Sequence, residues 1–471
     1  MTSQLFAGVC VSDSTPPIGI AHSGWGAQTH ERAAGVELPL TVTALALSDG
    51  TTTSLIVDID ICFLVEEDAA RARKAVSDLT GVVESNIRLT YTHTHSDTIR
   101  TLAGTWFSAG TEMIEAYIAN LQSIIAGTAW AAVRNQVPVR VAGAKGSSAI
   151  SVNRRFARPE DGAIVVGRNW GGPVDPEVQV LRFDTLDGAP LAAIVNFGCH
   201  PITVGPDNDL LTPDYPGVVK RTVAEATGAT TLFLQGAAGN VGPVRGVARD
   251  GINQFRRLGA MLGHEASRLW WTAEPVPKDE YFVGTLESGA PLAMYEDRPK
   301  PQPDSTLRVA YRTVELPVKS MGDPDELEAA ANGHASEIER LRSSGATDDV
   351  IKRETMQAKR ASMRARLARR LSGTSTWTVE MYATAIGDDT VLFAMAAEPF
   401  SSIGRAIKDR SPFAQTLFSG YTGVGWAYLP TADAYPLGGY EIEVTPFAPE
   451  AAEIAIEASV AMLKELKGVP A

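Results

Sequence analysis

The chain has 471 residues, of which 44% are hydrophobic and 21% are charged, so its composition is that of a globular protein and not of a disordered or fibrous one. A formal net charge of −13 argues against a nucleic-acid-binding protein and against binding to an anionic membrane surface, because both need clustered Lys and Arg residues. The N-terminus has no secretory signal, no apolar run reaches the roughly 18 residues that cross a bilayer, and the three cysteines indicate no disulfide framework, so we expect a cytoplasmic protein.

Strands and helices alternate through the first half of the chain. Residues 40–47 and 53–64 are strand-like and flank Asp49-Gly50, which predicts a hairpin. A second hairpin is expected for residues 178–184 and 191–197. This order indicates an α/β fold in which helices cover mixed sheets. The other predicted elements are helices at residues 66–79, 113–135, 213–226 and 251–271, and strands at residues 87–92, 137–144 and 230–234.

The composition changes at about residues 323–372, where a helical hairpin is expected to be inserted into the α/β body. Asp323 precedes a proline, which is the pattern of an N-cap followed by an N1 proline. The second helix, at about 347–371, has eight Lys or Arg residues within 352–370 and a single acid, Glu354. These features predict a solvated arm that mediates homo-oligomer contacts, with an anion-binding patch as the alternative. Further strands at residues 376–385 and 391–397 and a helix at residues 449–466 complete the prediction.

Three of the seven histidines stand at predicted strand ends. His93 and His95 follow the strand at residues 87–92, and in an extended strand residues two apart point to the same face. His200 precedes a proline after the strand at residues 191–197, at the sheet edge where α/β proteins place their ligands. This pattern predicts a site for a first-row transition metal. Two structural histidines at 93 and 95 are the alternative.

Other polar groups offer different chemistries. Asp58, Asp60 and Asp214 are the carboxylates available to a phosphoesterase, which would normally need two metal ions. The glycine-rich turn 235–242 lets backbone N–H groups approach a substrate oxygen, but it lacks the Lys-Ser/Thr ending of a phosphate loop. The absence of a Gly-x-Ser-x-Gly motif argues against a serine hydrolase, and Cys199 is interpreted as a buried structural residue.

Six short motifs occur in a fixed order along nearly the whole chain. They are Thr92-His-Thr-His-Ser96, Asn153-Arg154, Cys199-His-Pro-Ile-Thr203, Gln235-Gly-Ala-Ala-Gly-Asn-Val241, Ala397-Glu-Pro-Phe400, and Tyr428 through Tyr435 to Tyr440-Glu441. Together they resemble the catalytic domain of the neutral/alkaline, non-lysosomal ceramidase family, in particular its short bacterial relatives. The resemblance implies that residues 1–471 form one ceramidase-like catalytic domain with the helical hairpin inserted.

The resemblance also implies a catalytic Zn²⁺ held by two histidines, a glutamate and a tyrosine. Matched motif by motif, the implied zinc ligands are His93, His200, Glu398 and Tyr428. The implied residues that line the site and act on the substrate are His95, Arg154 and Tyr440.

Departures from the family concern the substrate. Where the family's ceramidases have Gly-Asp-Val-Ser-Pro, this chain has Asn240 and Gly242 in place of the aspartate and the serine. We expect no counterpart of the family's immunoglobulin-like C-terminal domain after the last predicted helix. We therefore expect a zinc-dependent hydrolase that cleaves an amide or cyclic amide of a small, soluble molecule with metal-activated water, with no nucleic-acid or membrane partner. A metallo-esterase or lactonase is the alternative, and a phosphoesterase or an inactive metal-binding scaffold is less favoured.

Overall fold

The computed structural model describes residues 4–22, 24–25, 28, 30–100, 109–245, 251–301, 304–424 and 427–470. Its strands, labelled β1 to β21 in chain order, are Phe6–Asp13, Gly35–Val36, Thr41–Ser48, Thr53–Ile59, Ile87–Tyr91, Val137–Ser147, Ser151–Ala157, Ile164–Asn169, Glu177–Thr185, Pro190–Phe197, Leu210–Leu211, Thr230–Gln235, Val241–Pro243, Lys278–Leu286, Leu292–Pro299, Leu307–Pro317, Thr376–Ile386, Thr390–Met395, Glu398–Pro399, Gln415–Ser419 and Tyr428–Leu429. Its α-helices, α1 to α9, are Glu66–Thr80, Ile114–Arg134, Asp214–Thr227, Gly251–Thr272, Pro324–Ser343, Asp348–Leu371, Ser401–Arg410, Tyr440–Val444 and Ala451–Lys467. Within these residues, no helix is both long and apolar enough to cross a bilayer.

Two β-sheets pack face to face at the centre of the fold. The larger has eight strands in the order β12-β10-β9-β6-β1-β3-β4-β5, with β4–β5 and β10–β12 as its parallel pairs. The smaller has four strands in the order β16-β17-β18-β20, with β18–β20 parallel. Leu45 and Ile56 of the larger sheet share a buried apolar cluster with Ile386 and Leu417 of the smaller one. The two mixed sheets therefore form a sandwich.

Helices cover the outer faces of this sandwich. On β3, Val42 packs beneath α1 and α2, whereas Leu45 points between the sheets, because successive strand residues face opposite sides. Helices α3 and α4 cover the half of the same sheet that contains β9, β10 and β12. Helices α7 and α9 cover the smaller sheet. The four layers confirm the predicted α/β fold with mixed sheets covered by helices.

The first predicted hairpin forms, but its second strand is shorter than expected. Thr41–Ser48 pairs with Thr53–Ile59 around a turn in which Gly50 has a φ of 88°. The prediction extended this strand to residue 64 because residues 61–64 are also mostly apolar. Ile61 and Leu64 are buried in the core outside the sheet, so their apolar character reflects burial and not strand structure.

The predicted helical arm is present as α5 and α6. The Asp323 carboxylate accepts the backbone N–H groups of Asp325 and Glu326, as expected for an N-cap. Helix α6 contacts the rest of the protein: Leu367 is buried, and the Arg370 guanidinium lies 4.7 Å from the centre of the Trp377 ring. The arm is therefore attached to the body along its second helix.

The carboxyl ends of several strands meet at one edge of the sandwich. Strands β5, β10 and β12 of the larger sheet end there, and the short strand β19 follows β18 of the smaller sheet. The sheets are joined at this edge, since the Tyr91 N–H donates to the carbonyl of Tyr421 and the Gly420 N–H donates to the carbonyl of Gln235. Side chains that follow these strands are thereby brought together from distant parts of the sequence.

Candidate metal centre

His93 and His95 lie in a loop and not in an extended strand. Strand β5 ends at Tyr91, and His93 has a φ of 66°, in the left-handed region that is uncommon for residues other than glycine. The prediction that strand alternation places both imidazoles on one face is therefore wrong, because neither residue is in a strand. The rings nevertheless lie edge to face with their centres 5.0 Å apart.

Three buried side chains converge on one point. The His93 Nε2 lies 3.2 Å from the His200 Nε2. The Glu398 Oε2 lies 3.5 Å from the His93 Nε2 and 3.7 Å from the His200 Nε2. All three residues are less than 5% exposed. His93, His200 and Glu398 come from β5, β10 and β19 or the residues that follow them, so the cluster exists only in the folded chain.

The outer nitrogen of each imidazole fixes its orientation. The His93 Nδ1 lies 3.0 Å from the Cys62 carbonyl oxygen, and the His200 Nδ1 lies 3.0 Å from the Ala238 carbonyl oxygen. A carbonyl accepts and does not donate, so both Nδ1 atoms carry the proton and both Nε2 atoms present lone pairs to each other. Two lone pairs at 3.2 Å repel unless a cation lies between them.

The third candidate ligand atom, the buried carboxylate oxygen Oε2 of Glu398, also has lone pairs that receive no hydrogen bond from the described residues. Donor atoms around a tetrahedral Zn²⁺ lie roughly 3.3 Å apart, since Zn–N and Zn–O bonds are about 2.0–2.2 Å long. The three separations in the cluster match this spacing, and two neutral imidazoles with a carboxylate are a set that zinc accepts. The residues present therefore fit a zinc ion.

A second group of ligand atoms, from Cys62, His93 and His95, is less suited to a metal. The Cys62 sulfur lies 3.6 Å from the His93 Nδ1, which already faces the Cys62 carbonyl. Burial raises the pKa of the Cys62 thiol, and the nearby Asp97 and Glu398 raise it further, so the thiolate that binds metal is disfavoured.

Tyr428 lies beside Glu398, because β19 and β21 pair in parallel with these two residues in register. Its ring is stacked at 6.2 Å from the His200 ring, and the Arg154 guanidinium lies 5.3 Å from its centre. Burial raises the pKa of the Tyr428 phenol, which keeps the hydroxyl protonated. Tyr428 is thus at the cluster, as a neutral group.

His95 is oriented toward the same space with an available acceptor atom. Its Nδ1 lies 2.8 Å from the Gly24 carbonyl oxygen, so the Nε2 carries the lone pair, and this buried atom has no partner within the described ranges. Burial, followed by the effect of His93, lowers the pKa of His95 to about 3. A Cβ added to Gly24 would lie 1.9 Å from the His95 carbonyl oxygen, so this close approach requires glycine.

Arg154 is held by a partner for which sequence reasoning assigned no role. Its Nε donates to one carboxylate oxygen of Glu441 at 2.8 Å, and Arg155 donates to the other oxygen at 2.8 Å. The Arg154 Nη2 is buried and has no acceptor in the described part of the chain. Tyr440 lies next to Arg154 at the cluster, and burial raises the pKa of its phenol, so both residues present N–H or O–H donors. The adjacency of Tyr440 and Glu441 was the available signal.

The glycine-rich turn 235–242 differs from its predicted role. The N–H groups of Gly236, Gly239 and Val241 donate to carbonyl groups of the protein, and the turn contributes the Ala238 carbonyl that orients His200. The turn therefore mainly holds the candidate metal ligand His200 in place, and these three N–H groups do not face a substrate. The carboxamide oxygen of Asn240 accepts the N–H of Ser401 at the start of α7.

The three aspartates considered for a phosphoesterase have structural partners. Lys220 pairs with Asp60 at 2.7 Å and with Asp58 at 3.3 Å. Asp214 accepts the backbone N–H groups of Thr203 and Val204. None of them belongs to the metal-ligand groups of the described residues. Cys199 is buried, as predicted.

A cavity of about 1200 Å³ leads to the cluster. All seven predicted site residues line it, together with Gly242. Apolar side chains form much of its wall, among them Trp25, Phe63, Phe156, Ile202, Met363 and Leu367. Helix α6 of the arm forms part of this wall, although none of its residues belongs to a metal-ligand group in the described ranges.

Comparisons with known proteins agree with this architecture. The structure of neutral ceramidase from Pseudomonas aeruginosa superposes with a TM-score of 0.69 at 16% identity, covering 100% of this chain and 76% of that chain. A ceramidase complexed with C2 gives a TM-score of 0.67 at 15% identity, covering 99% of this chain and 76% of that chain. No protein-family profile matches the sequence, and no curated protein matches it. The chain therefore has a neutral-ceramidase-like fold.

Proposed function

We propose that residues 1–471 form a single zinc-dependent hydrolase domain that cleaves carbon–nitrogen amide bonds. The observation that carries the proposal is the convergence of two imidazole lone pairs and an unpartnered carboxylate oxygen within 3.7 Å of one another. The fold that the chain shares with solved ceramidases, which act on an amide, supports this reaction class.

His93, His200 and Glu398 would hold the metal ion, with Tyr428 as the fourth ligand that the family resemblance implies. When bound there, Zn²⁺ supplies Lewis acidity, which lowers the pKa of water and polarises a carbonyl group. The carbonyls of Cys62 and Ala238 keep both imidazoles in the tautomer that binds a metal.

The other residues of the cavity handle the substrate and its protons. The Arg154 Nη2 and the Tyr440 hydroxyl are donors that bind the carbonyl oxygen of the substrate and stabilise the negative charge that develops on it. The His95 Nε2 accepts a proton from the attacking water and returns it to the leaving nitrogen, because its Nδ1 is already used by Gly24.

A metallo-esterase or lactonase would use the same residues and remains the alternative function. A phosphoesterase has less support, since Asp58, Asp60 and Asp214 are engaged elsewhere. For the substrate, we propose a water-soluble amide and not ceramide, because Gly242 removes the hydroxyl that the family's ceramidases have in the cavity.

The proposal is tested with zinc-loaded protein and a panel of amides, cyclic amides, esters, lactones, phosphoesters and ceramide. Soluble amides should be hydrolysed and ceramide should not. His95→Ala should retain zinc and lose turnover by roughly 10²- to 10⁴-fold, the range for a general acid–base group. Cleavage of ceramide without cleavage of soluble amides would overturn the proposed substrate class. Loss of zinc in His95→Ala would show that His95 is a metal ligand.

A further inference from the structure

One face of helix α6 brings positive charge into the cavity of the candidate metal centre. The cationic residues of the arm that line this cavity are Lys359, Arg360, Arg364, Arg366 and Arg370, and Arg168 of β8 lines it as well. In the described lining the single carboxylate is Glu398, which we assign to the metal. The cavity is thus strongly cationic in a chain whose net charge is −13.

Arg360 and Arg364 differ from Arg370, which also lines the cavity but pairs with Glu66. Both are exposed, and within the described chain neither forms an ion pair with a carboxylate. Four other arginines of the arm pair with carboxylates. The pairs are Arg340–Glu337, Arg342–Glu339, Arg369–Asp325, Arg369–Glu328 and Arg370–Glu66.

The local electrostatics also favour an anion. Burial lowers the pKa of Lys359 and that of Arg366. Burial, with the charge of Arg364 added, lowers the pKa of Lys319 to about 8, in a second cavity that Arg360 and Arg364 also line and that contains Glu443. Crowded cations at the mouth of a cleft are stabilised by a bound anion and raise its local concentration.

The same helix face carries an apolar stripe. Met356, Met363 and Leu367 line the cavity at the helical spacing of the cationic residues. The ligand atoms are almost fully buried, whereas Arg360 and Arg364 are exposed, so the metal centre lies deep in the cavity and these two cations lie at its mouth.

We propose that the substrate is an amide whose apolar segment ends in an anionic group, in the first instance a carboxylate, which Arg360 and Arg364 bind at the mouth of the cavity. This inference rests on the proposed amidase function for the reaction, but anion binding at the mouth is separate from it. The arm is therefore a specificity element, and not solely a solvated or oligomer-forming one.

Binding is measured first, with the full chain stripped of metal. Calorimetry compares octanoate with octanamide, which have the same tail and differ in charge. We expect octanoate to bind more tightly in wild type, and the Arg360→Gln/Arg364→Gln double variant to lose about 3- to 10-fold in octanoate affinity, as for two exposed charge contacts. Raised salt should weaken octanoate binding alone. Arg353→Gln, on the same helix but outside the cavity lining, is the matched control and should match wild type.

Hydrolysis is measured next, with zinc-loaded protein and two 4-nitroanilides, the monoanilide of suberic acid and the anilide of octanoic acid. The acidic anilide should have the higher kcat/KM, mainly through KM, and the double variant should reduce that preference. Equal affinity for octanoate and octanamide in wild type, or an unchanged preference in the double variant, overturns the inference. If octanoate is preferred but neither anilide is cleaved, the anion site stands and the amidase proposal fails.

Discussion

Glu441 offers a specific test of how Arg154, the arginine that we propose binds the substrate, is positioned. The Glu441→Gln substitution keeps the shape of the side chain but removes the charge that Arg154 and Arg155 share. The carboxamide oxygen of the glutamine can still accept a hydrogen bond from one arginine. The NH₂ group faces the other arginine and cannot accept a hydrogen bond from it. Glu441 is 1% exposed, so water does not replace the lost contact.

The size of the effect follows from these contacts. Glu441 accepts two charge-assisted hydrogen bonds of 2.8 Å, and leaving a buried guanidinium without its counter-charge costs about 3–5 kcal/mol of unfolding free energy. Displacing the Arg154 donor from the carbonyl oxygen should lower kcat by roughly 10²-fold, as for the loss of one oxyanion donor. Zinc content should change little, because Glu441 is not in the metal-ligand group.

The assay combines urea unfolding, zinc content and steady-state kinetics on a soluble amide, below the unfolding transition. Arg155→Met is the matched control, since Arg155 shares Glu441 but does not line the cavity. It should lose stability while kcat stays within about 3-fold of wild type, a difference of less than 1 kcal/mol in the barrier. A Glu441→Gln protein with wild-type kcat, or a control with an equal loss of kcat, would refute the positioning role.

Two further predictions concern the cavity and the pH dependence of stability. A Cβ on Gly242 would lie 3.6 Å from the Arg154 Cβ, so Gly242→Ser should change the unfolding free energy by less than about 1 kcal/mol and shift the preference among amides. Gly239→Ser places its Cβ 2.4 Å from the Glu398 carbonyl oxygen and should lose zinc. Equal behaviour of the two variants in unfolding and zinc assays would contradict this prediction. Burial by itself raises the pKa of Glu380, but the hydrogen bonds and charge of Arg73 outweigh it and lower this pKa. The contribution of Glu380 to folding stability is therefore complete above the unfolded pKa of about 4.3 and is lost as pH falls toward the pKa of the folded state. Glu380→Gln should therefore cost about 3–5 kcal/mol at pH 7 and progressively less below pH 4 in chemical unfolding, and a pH-independent difference would contradict the assignment.

The sequence predicted the layers of the fold and the sheet edge at which the candidate site lies, because both depend on local patterns. Apolar strand runs and Asp-Gly turns identified the hairpins, and histidines after strands identified the sheet edge. The convergence of His93, His200 and Glu398 came from motif resemblance, since their spacing along the chain has no periodicity. The strand argument for His95 was wrong because β5 ends two residues before His93, a boundary that propensity does not specify.

Contacts between distant segments were not predictable. The Cys62 and Ala238 carbonyls that orient the imidazoles are backbone groups, which carry no sequence signature. The partner of Arg154 lies 287 residues away in the chain. The basic pattern of α6 was visible, but which surface its cations face depends on how the arm docks. The methionines and the leucine that recur at helical spacing among the cations were the signal that this face of α6 packs against the rest of the protein.

Zinc binding tests the central claim most directly. Wild-type protein equilibrated with Zn²⁺ and freed of excess ion should contain about one tightly bound zinc per chain by elemental analysis, as expected for a buried three-ligand set. His200→Ala and Glu398→Gln should lose it, and His264→Ala, an exposed histidine on α4, should keep it. Undiminished zinc in both ligand variants, or a wild-type protein that binds none, would contradict the account.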